Sequence, residues 1–356
     1  MSFPNFCKKK KSFFFFFLYF CKCSSICVKM SISTPKRIDY IDLAKGVCIL
    51  LVVFHHIASY YNWDYLLWVP MQSFRMPLYF LLSGLFFKEY RGFFDFLKRK
   101  VNKLLIPFLF FYLFTSVPIT MIVQQRSFWD ALFAFSISWD FENGCIWFLL
   151  SLFEINIIYY VIFMMFNKHQ RLLLLSVMVL GVLGLILSPY VIKYRCFLDT
   201  SFVALPFFYY GFILYRHTNF LYYETKLWQD VLFILFSIFF LLIFSHQQDF
   251  GLNVYSNYFT VYPCGIIGTM MVFVIAKRLK RLPLLSYLGR YSIIVLCTHL
   301  IVMKILRHVM RYIIIDETYT MWINFVLTVF SMLIIIPLCR KYIPYFTAQK
   351  DLIPIS

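Results

Sequence analysis

The chain has 356 residues, 62% of them hydrophobic and only 14% charged, with a net charge of +18. Ordinary soluble domains are about half apolar and about a quarter charged, so the composition excludes a soluble enzyme and indicates a membrane protein. The positive surplus sits in short loops between apolar runs, where membrane insertion accounts for it, and no nucleic-acid partner is expected.

Residues 1–29 pair a lysine run with a phenylalanine run in KKKKSFFFFFLYF, and Met30 then precedes an ordinary start, SISTPKRIDYIDLAKG. The expectation is a basic, phenylalanine-rich leader produced by a start site placed too early, with translation beginning at Met30. A membrane domain over 30–345 and a short cytoplasmic tail over 346–356 follow. Apolar runs predict about ten transmembrane helices near 41–60, 74–88, 104–124, 145–166, 171–189, 201–215, 228–245, 258–276, 288–306 and 321–339. The period-two alternation of a membrane barrel is absent, so the fold class is all-α, a polytopic helix bundle. With the N-terminus inside, nineteen loop and tail Lys and Arg residues lie on the inner side. Five (Arg126, Lys193, Arg195, Arg307 and Arg311) lie on the outer side, which places both termini in the cytoplasm. The outer segments WDFENG (139–144) and HQQDFGLNVYSNY (246–258) are rich in polar and aromatic side chains. Such side chains suit a sugar or simple interfacial anchoring.

Ionisable side chains within a bilayer cost roughly 2.5 kcal/mol upward, so each one is a functional hypothesis. In DLAKGVCILLVVFHHI, Lys45 and His56 are eleven residues apart, which puts them within about 20° of one helix face and about 16 Å apart along the axis. A cation at the inner mouth and an imidazole deeper on the same face describe a path from a cytoplasmic anion to a proton acceptor. The alternative is that Lys45 snorkels and His56 bonds within the bundle, and His55 points elsewhere either way. Next comes FRMPLYFLLSGLFF, where Pro77 falls near the predicted start of a span and Ser83 with Gly84 lets helices approach. The run RGFFDFLKRKVNKLLIPF carries Lys98, Arg99, Lys100 and Lys103, either to set orientation or to hold the phosphates of a nucleotide-like donor. No Walker loop accompanies it, which disfavours an ATP-driven pump. In GCIWFLLSLFEIN, Glu154 is expected to orient a histidine or lysine or to make a structural polar contact. His299, alone in its span, reads as a packed histidine. The ten cysteines match neither a zinc spacing nor a disulfide framework and read as small apolar residues, so no metal is expected.

These motifs together resemble the acyltransferase 3 family of integral-membrane O-acyltransferases, in particular its fucose 4-O-acetylase-like branch. RIDYIDLAKGVCILLVVFHHI is similar to the family's first helix, with Asp42, a basic residue at Lys45, a glycine, and a histidine eleven positions after the basic residue at His56. FRMPLYFLLSGLFF resembles the family's MPLFFFLSG stretch, the basic run before LLIP its arginine-rich inner loop, GCIWFLLSLF its Trp-Phe-Leu segment, and LGRYSIIVLCTHL its closing segment. Two departures stand out. Arg75 replaces a histidine common in that branch, and lysines replace arginines at position 45 and in the loop, which keeps charge but loses bidentate geometry. The resemblance implies transfer of an acyl group, usually acetyl, from cytoplasmic acyl-CoA to a hydroxyl of a cell-envelope glycan or its lipid-linked precursor, at the inner or plasma membrane. It implies no permanently bound cofactor. In that role His56 is the base or a transient acyl carrier, Lys45, Arg99, Lys100 and Lys103 attract the CoA phosphates, and Asp42, Arg75, Glu154 and His299 are supporting candidates. A glycan or lipid-intermediate flippase is the rival class, but it predicts internal repeats, and none is evident.

Overall fold

The computed structural model describes residues 38–63, 68–137, 141–188, 196–218, 220–310, 312 and 316–355. The leader, Met30, Lys193, Arg195 and Arg311 lie outside the described residues. Twelve helices follow one another: α1 (Asp39–Tyr60), α2 (Trp68–Leu85), α3 (Phe93–Gln124), α4 (Phe128–Ile137), α5 (Trp147–Phe166), α6 (Gln170–Leu187), α7 (Leu198–His217), α8 (Leu227–Phe244), α9 (Tyr258–Leu279), α10 (Pro283–Arg290), α11 (Ser292–Met310) and α12 (Glu317–Tyr342). A two-stranded hairpin, β1 (Gln248–Asp249) with β2 (Val254–Tyr255), is the only sheet among the described residues. The protein is therefore the all-helical polytopic bundle that its apolar runs dictate.

Nine of these helices are long and apolar enough to span a bilayer. The tenth long helix, α2, carries Gln72 and Arg75, both buried in the bundle, and so falls short of that apolarity. It begins six residues before the predicted start at 74, so Pro77 is an interior proline rather than a first-turn one. Its ring packs against Gly265 of α9, and Phe74 packs against Gly268 one turn on. The helices α7 and α9 are the most enclosed spans, whereas α8, with a row of bare leucines and phenylalanines, is the least and faces the lipid.

Close crossings lock the inner helices together. A Cβ placed on Gly289 of α10 would stand 1.9 Å from the Asp42 carbonyl and 2.4 Å from the Gly46 amide, and one on Gly46 would stand 1.9 Å from the Leu285 carbonyl. The crossing of α2 with α7 is similar, with Gly84 against the Phe208 carbonyl (1.8 Å) and Gly211 against that of Leu81 (2.0 Å). Only glycine permits backbones this near, and Gly84 plays the part its sequence context predicts.

Helix α3 starts eleven residues before its predicted boundary because Phe93–Lys100 is amphipathic rather than apolar. It contains two π turns, Val101–Leu105 and Tyr112–Ser116, each directly ahead of a proline. Pro107 and Pro118 have no N–H for the carbonyls of Lys103 and Phe114, and a widened turn relieves the clash of each ring with the preceding turn. Asn102 in the first π turn captures the end of the chain: it accepts from the amides of Leu352 (3.0 Å) and Ile353 (2.8 Å) and donates to the Ile353 carbonyl (2.9 Å). Phe346 stacks on Phe110 at 4.3 Å, so the tail folds back along α3.

Candidate active site

A partly open cavity of about 230 Å³ runs between α1, α2, α3, α5 and α11. Lys45, Lys100 and Ser292 line one end of it, and Val52, Met76, Phe148 and Leu296 line it two turns further along α1. The walls are largely apolar, and Ser83, which accepts a hydrogen bond from Asn156 (3.1 Å), adds a polar spot. Such a shape suits a slender chain with an anionic head.

Three side chains from three separate elements meet one helical turn beyond the far end. Val52 lies four residues before His56, Leu296 three before His299, and Phe148 three after Cys145. The Cys145 Sγ is 3.0 Å from His56 Nε2 and 3.5 Å from His299 Nε2, and the two imidazole rings are 5.6 Å apart. His299 is wholly buried, and its Nδ1 lies 2.8 Å from the Val295 carbonyl. A carbonyl can only accept, so Nδ1 carries the proton and Nε2 presents a lone pair to the sulfur. Cys145 is 6% exposed, and His56 is partly buried.

Local structure fixes this arrangement. Cys145 is the middle residue of a 3-10 turn, Gly144–Ile146, that leads into α5. The turn is pinned by Asn143 in the left-handed region (φ 57°), whose side-chain amide donates to the Cys297 carbonyl and to Thr115 Oγ1, each at 3.0 Å. Thr115 belongs to the second π turn of α3, which turns its hydroxyl toward the loop. The Glu142 amide donates to Thr120 Oγ1 (2.9 Å), and the Glu142 carboxylate pairs with Lys304 of α11. Arg75 and the Glu142-paired Lys304 act electrostatically on His56 and Cys145, and Asp249 opposes them at Cys145.

The predicted site residues divide into those the fold unites and those it does not. Lys45 and His56 do lie on one side of α1, at the two ends of the path, and the Lys45 carbonyl accepts from Tyr79 (2.8 Å). His55 turns away against Trp68, with rings 4.3 Å apart. Lys100 lines the cavity. Arg99 pairs with Asp95 (3.1 Å) and lies over Tyr90, while Lys103 pairs with Asp351 (3.0 Å) and donates to the Ala348 carbonyl (3.0 Å) in the tail. Asp42, in the first turn of α1, abuts Gly289 through its carbonyl. Glu154 accepts from Ser201 of α7 (2.7 Å), so among the described contacts it serves helix packing rather than a histidine or lysine. His299, which alone in its span reads as a packed histidine and by the resemblance is a supporting candidate, lies beside Cys145 in the cluster.

Sequence reasoning missed Cys145, Asn143 and the Glu142–Lys304 pair. A cysteine opening a span in a chain with two intramembrane histidines was a signal, but no spacing ties 56, 145 and 299 together. The ligand atoms of His56, Cys145 and His299 lie within 4.8 Å of one another, a grouping that no spacing in the sequence signals. Two imidazoles and a thiolate form a donor set that zinc or a softer ion accepts.

A polytopic helical bundle with a lysine-flanked cavity one helical turn from an imidazole–thiol cluster defines a membrane-embedded group-transfer protein. The family model for an acyltransferase domain, that of the acyltransferase 3 family, matches residues 38–340, and the chain belongs to that family as a multi-pass membrane acyltransferase. No curated protein and no solved structure matches it.

Proposed function

We propose that this protein is an O-acyltransferase that moves an acetyl group from cytoplasmic acetyl-CoA to a hydroxyl of a cell-envelope glycan or its lipid-linked precursor, at the plasma (inner) membrane. The observation that carries the reading is the cavity, with Lys45 and Lys100 at one end and the His56 cluster one turn past the other. A donor with phosphates at the two lysines and a carbonyl at His56 needs a slender arm of about 16 Å, which the pantetheine arm of coenzyme A supplies. Phosphate binding is assigned to Lys45 and Lys100 because both line the cavity. A sugar hydroxyl must lose its proton as it attacks the thioester carbonyl, and the partly exposed His56 is placed to take it.

The test compares acyl esters on the envelope glycans of cells lacking the gene, complemented at matched protein level by wild type, His55→Ala or His56→Ala. Loss of the ester in the deletion, restored by wild type and His55→Ala but not by His56→Ala, supports the reading. Unchanged esters with accumulating lipid-linked sugars would replace it with the flippase.

A further inference from the structure

We propose that Cys145 is the acyl carrier of this protein, receiving the acyl group from the donor as a thioester and passing it to the acceptor hydroxyl. The inference rests on the acyltransferase reading above and deepens it. Among the described cysteines, Cys145 is the one with imidazole nitrogens at hydrogen-bonding distance, at 3.0 and 3.5 Å, whereas Cys48, Cys264, Cys297 and Cys339 are buried among apolar residues. Nucleophile and base within reach, with the base oriented by a third group, is the arrangement that activates a thiol, and here the Val295 carbonyl orients His299.

The position of the sulfur supports the same role. The residues one turn below all three members of the cluster line the donor cavity, so an acyl group at its tip meets Sγ from that side. His56, in contact with the same sulfur at 3.0 Å, is only partly buried and is the member of the cluster assigned to the acceptor hydroxyl. The Sγ also precedes the N-terminus of α5, whose dipole favours negative charge developing during attack.

The chemistry balances in two halves. Cys145 Sγ attacks the thioester carbonyl while its proton passes to His299 Nε2. The new S–C bond forms, the bond to the CoA sulfur breaks, and His299 returns the proton to the departing CoA thiolate. In the second half the acceptor oxygen attacks the Cys145 thioester and gives its proton to His56. The C–S bond breaks, and the His56 proton moves to the freed sulfur 3.0 Å away.

The full chain, purified in lipid nanodiscs, is given radiolabelled acetyl-CoA without acceptor, quenched in acid and digested. Label is expected on the peptide containing Cys145, released by neutral hydroxylamine as a thioester is. Wild type is also expected to exchange label between acetyl-CoA and free CoA, and Cys145→Ser, nearly the same size, to lose that exchange by at least about 100-fold. Elution and melting like wild type establish that the variant is folded. Exchange that survives in Cys145→Ser but fails in His56→Ala would overturn the proposal in favour of an acyl-histidine. A wild type that acetylates envelope glycan but neither exchanges nor takes up label transfers directly, which also overturns it while the acyltransferase reading stands. One equivalent of bound metal, lost in Cys145→Ser, would make the cluster a metal centre and overturn it as well. No hydrolysis, exchange or transfer with any acyl-CoA would remove the parent reading and the proposal together.

Discussion

Replacing Gly289 with alanine tests the close crossing of α1 with α10. The added Cβ would stand 1.9 Å from the Asp42 carbonyl oxygen and 2.4 Å from the Gly46 nitrogen, where ordinary contact begins at 3.4 Å. Both obstacles are backbone, so no side chain can swing aside, and α1 and α10 must separate by about 1.5 Å at the crossing. Overpacking costs typically 1–3 kcal/mol, and with rigid obstacles on both sides the loss belongs at the upper end, about 3 kcal/mol. At about 1–2 °C per kcal/mol for a chain of this length, the apparent melting temperature falls by about 3–6 °C. The assay is thermal unfolding of detergent-purified protein followed by loss of the monodisperse elution peak, run beside Gly144→Ala. A Cβ on Gly144 meets nothing within 4 Å, and that variant is expected to melt within about 1 °C of wild type. The crossing also holds the end of α1 that carries Lys45, so the KM for acyl-CoA should rise in Gly289→Ala. A variant that melts with wild type would refute the close crossing and the placement of Lys45 that depends on it.

Lys45→Met and Lys100→Met are each expected to raise the KM for acyl-CoA about tenfold with little change in kcat, whereas Arg99→Met, already engaged with Asp95 and Tyr90, shifts it less than about twofold; steady-state kinetics distinguish the three. Asn102→Ala removes three hydrogen bonds to the tail, about 3 kcal/mol in all, and limited proteolysis should then cut residues 343–355 far faster than in wild type. Lys304→Met strands the largely buried Glu142 and should lower stability by about 1–3 kcal/mol in thermal unfolding, with Lys304→Arg recovering most of it.

Apolar runs of span length made the bundle legible, since hydropathy and helix length are read directly from composition along the chain. Helices α4 and α10 and the first turns of α3 escaped because Phe128–Ile137 and Pro283–Arg290 are too short to cross a bilayer and Phe93–Lys100 is amphipathic. The start of α2 moved for a related reason: Gln72 and Arg75 look like loop residues until the bundle is seen to bury them. Within the site, the Lys45 and His56 pair was readable because both lie on one helix, where eleven residues fix an angle. Cys145 and His299 were not, because only tertiary packing brings α5 and α11 to α1. Glu154 left two readings open in the sequence because a carboxylate in a span announces a partner without naming it, and its contact with Ser201 is the structural polar one.

The two π turns of α3 give that helix a count of its own. Each holds one residue more than an α turn needs, so everything beyond it is rotated by about 100° relative to an unbroken helix. The first offset points Asn102 at the tail and the second brings Thr115 under Asn143, which carries the Cys145 turn. Loss of a single residue anywhere between Val101 and Ser116 would straighten the helix while turning its outer half off the loop. In α3, therefore, length is under tighter constraint than side-chain identity: many single substitutions on its lipid face can be absorbed, but an in-frame deletion of one codon cannot.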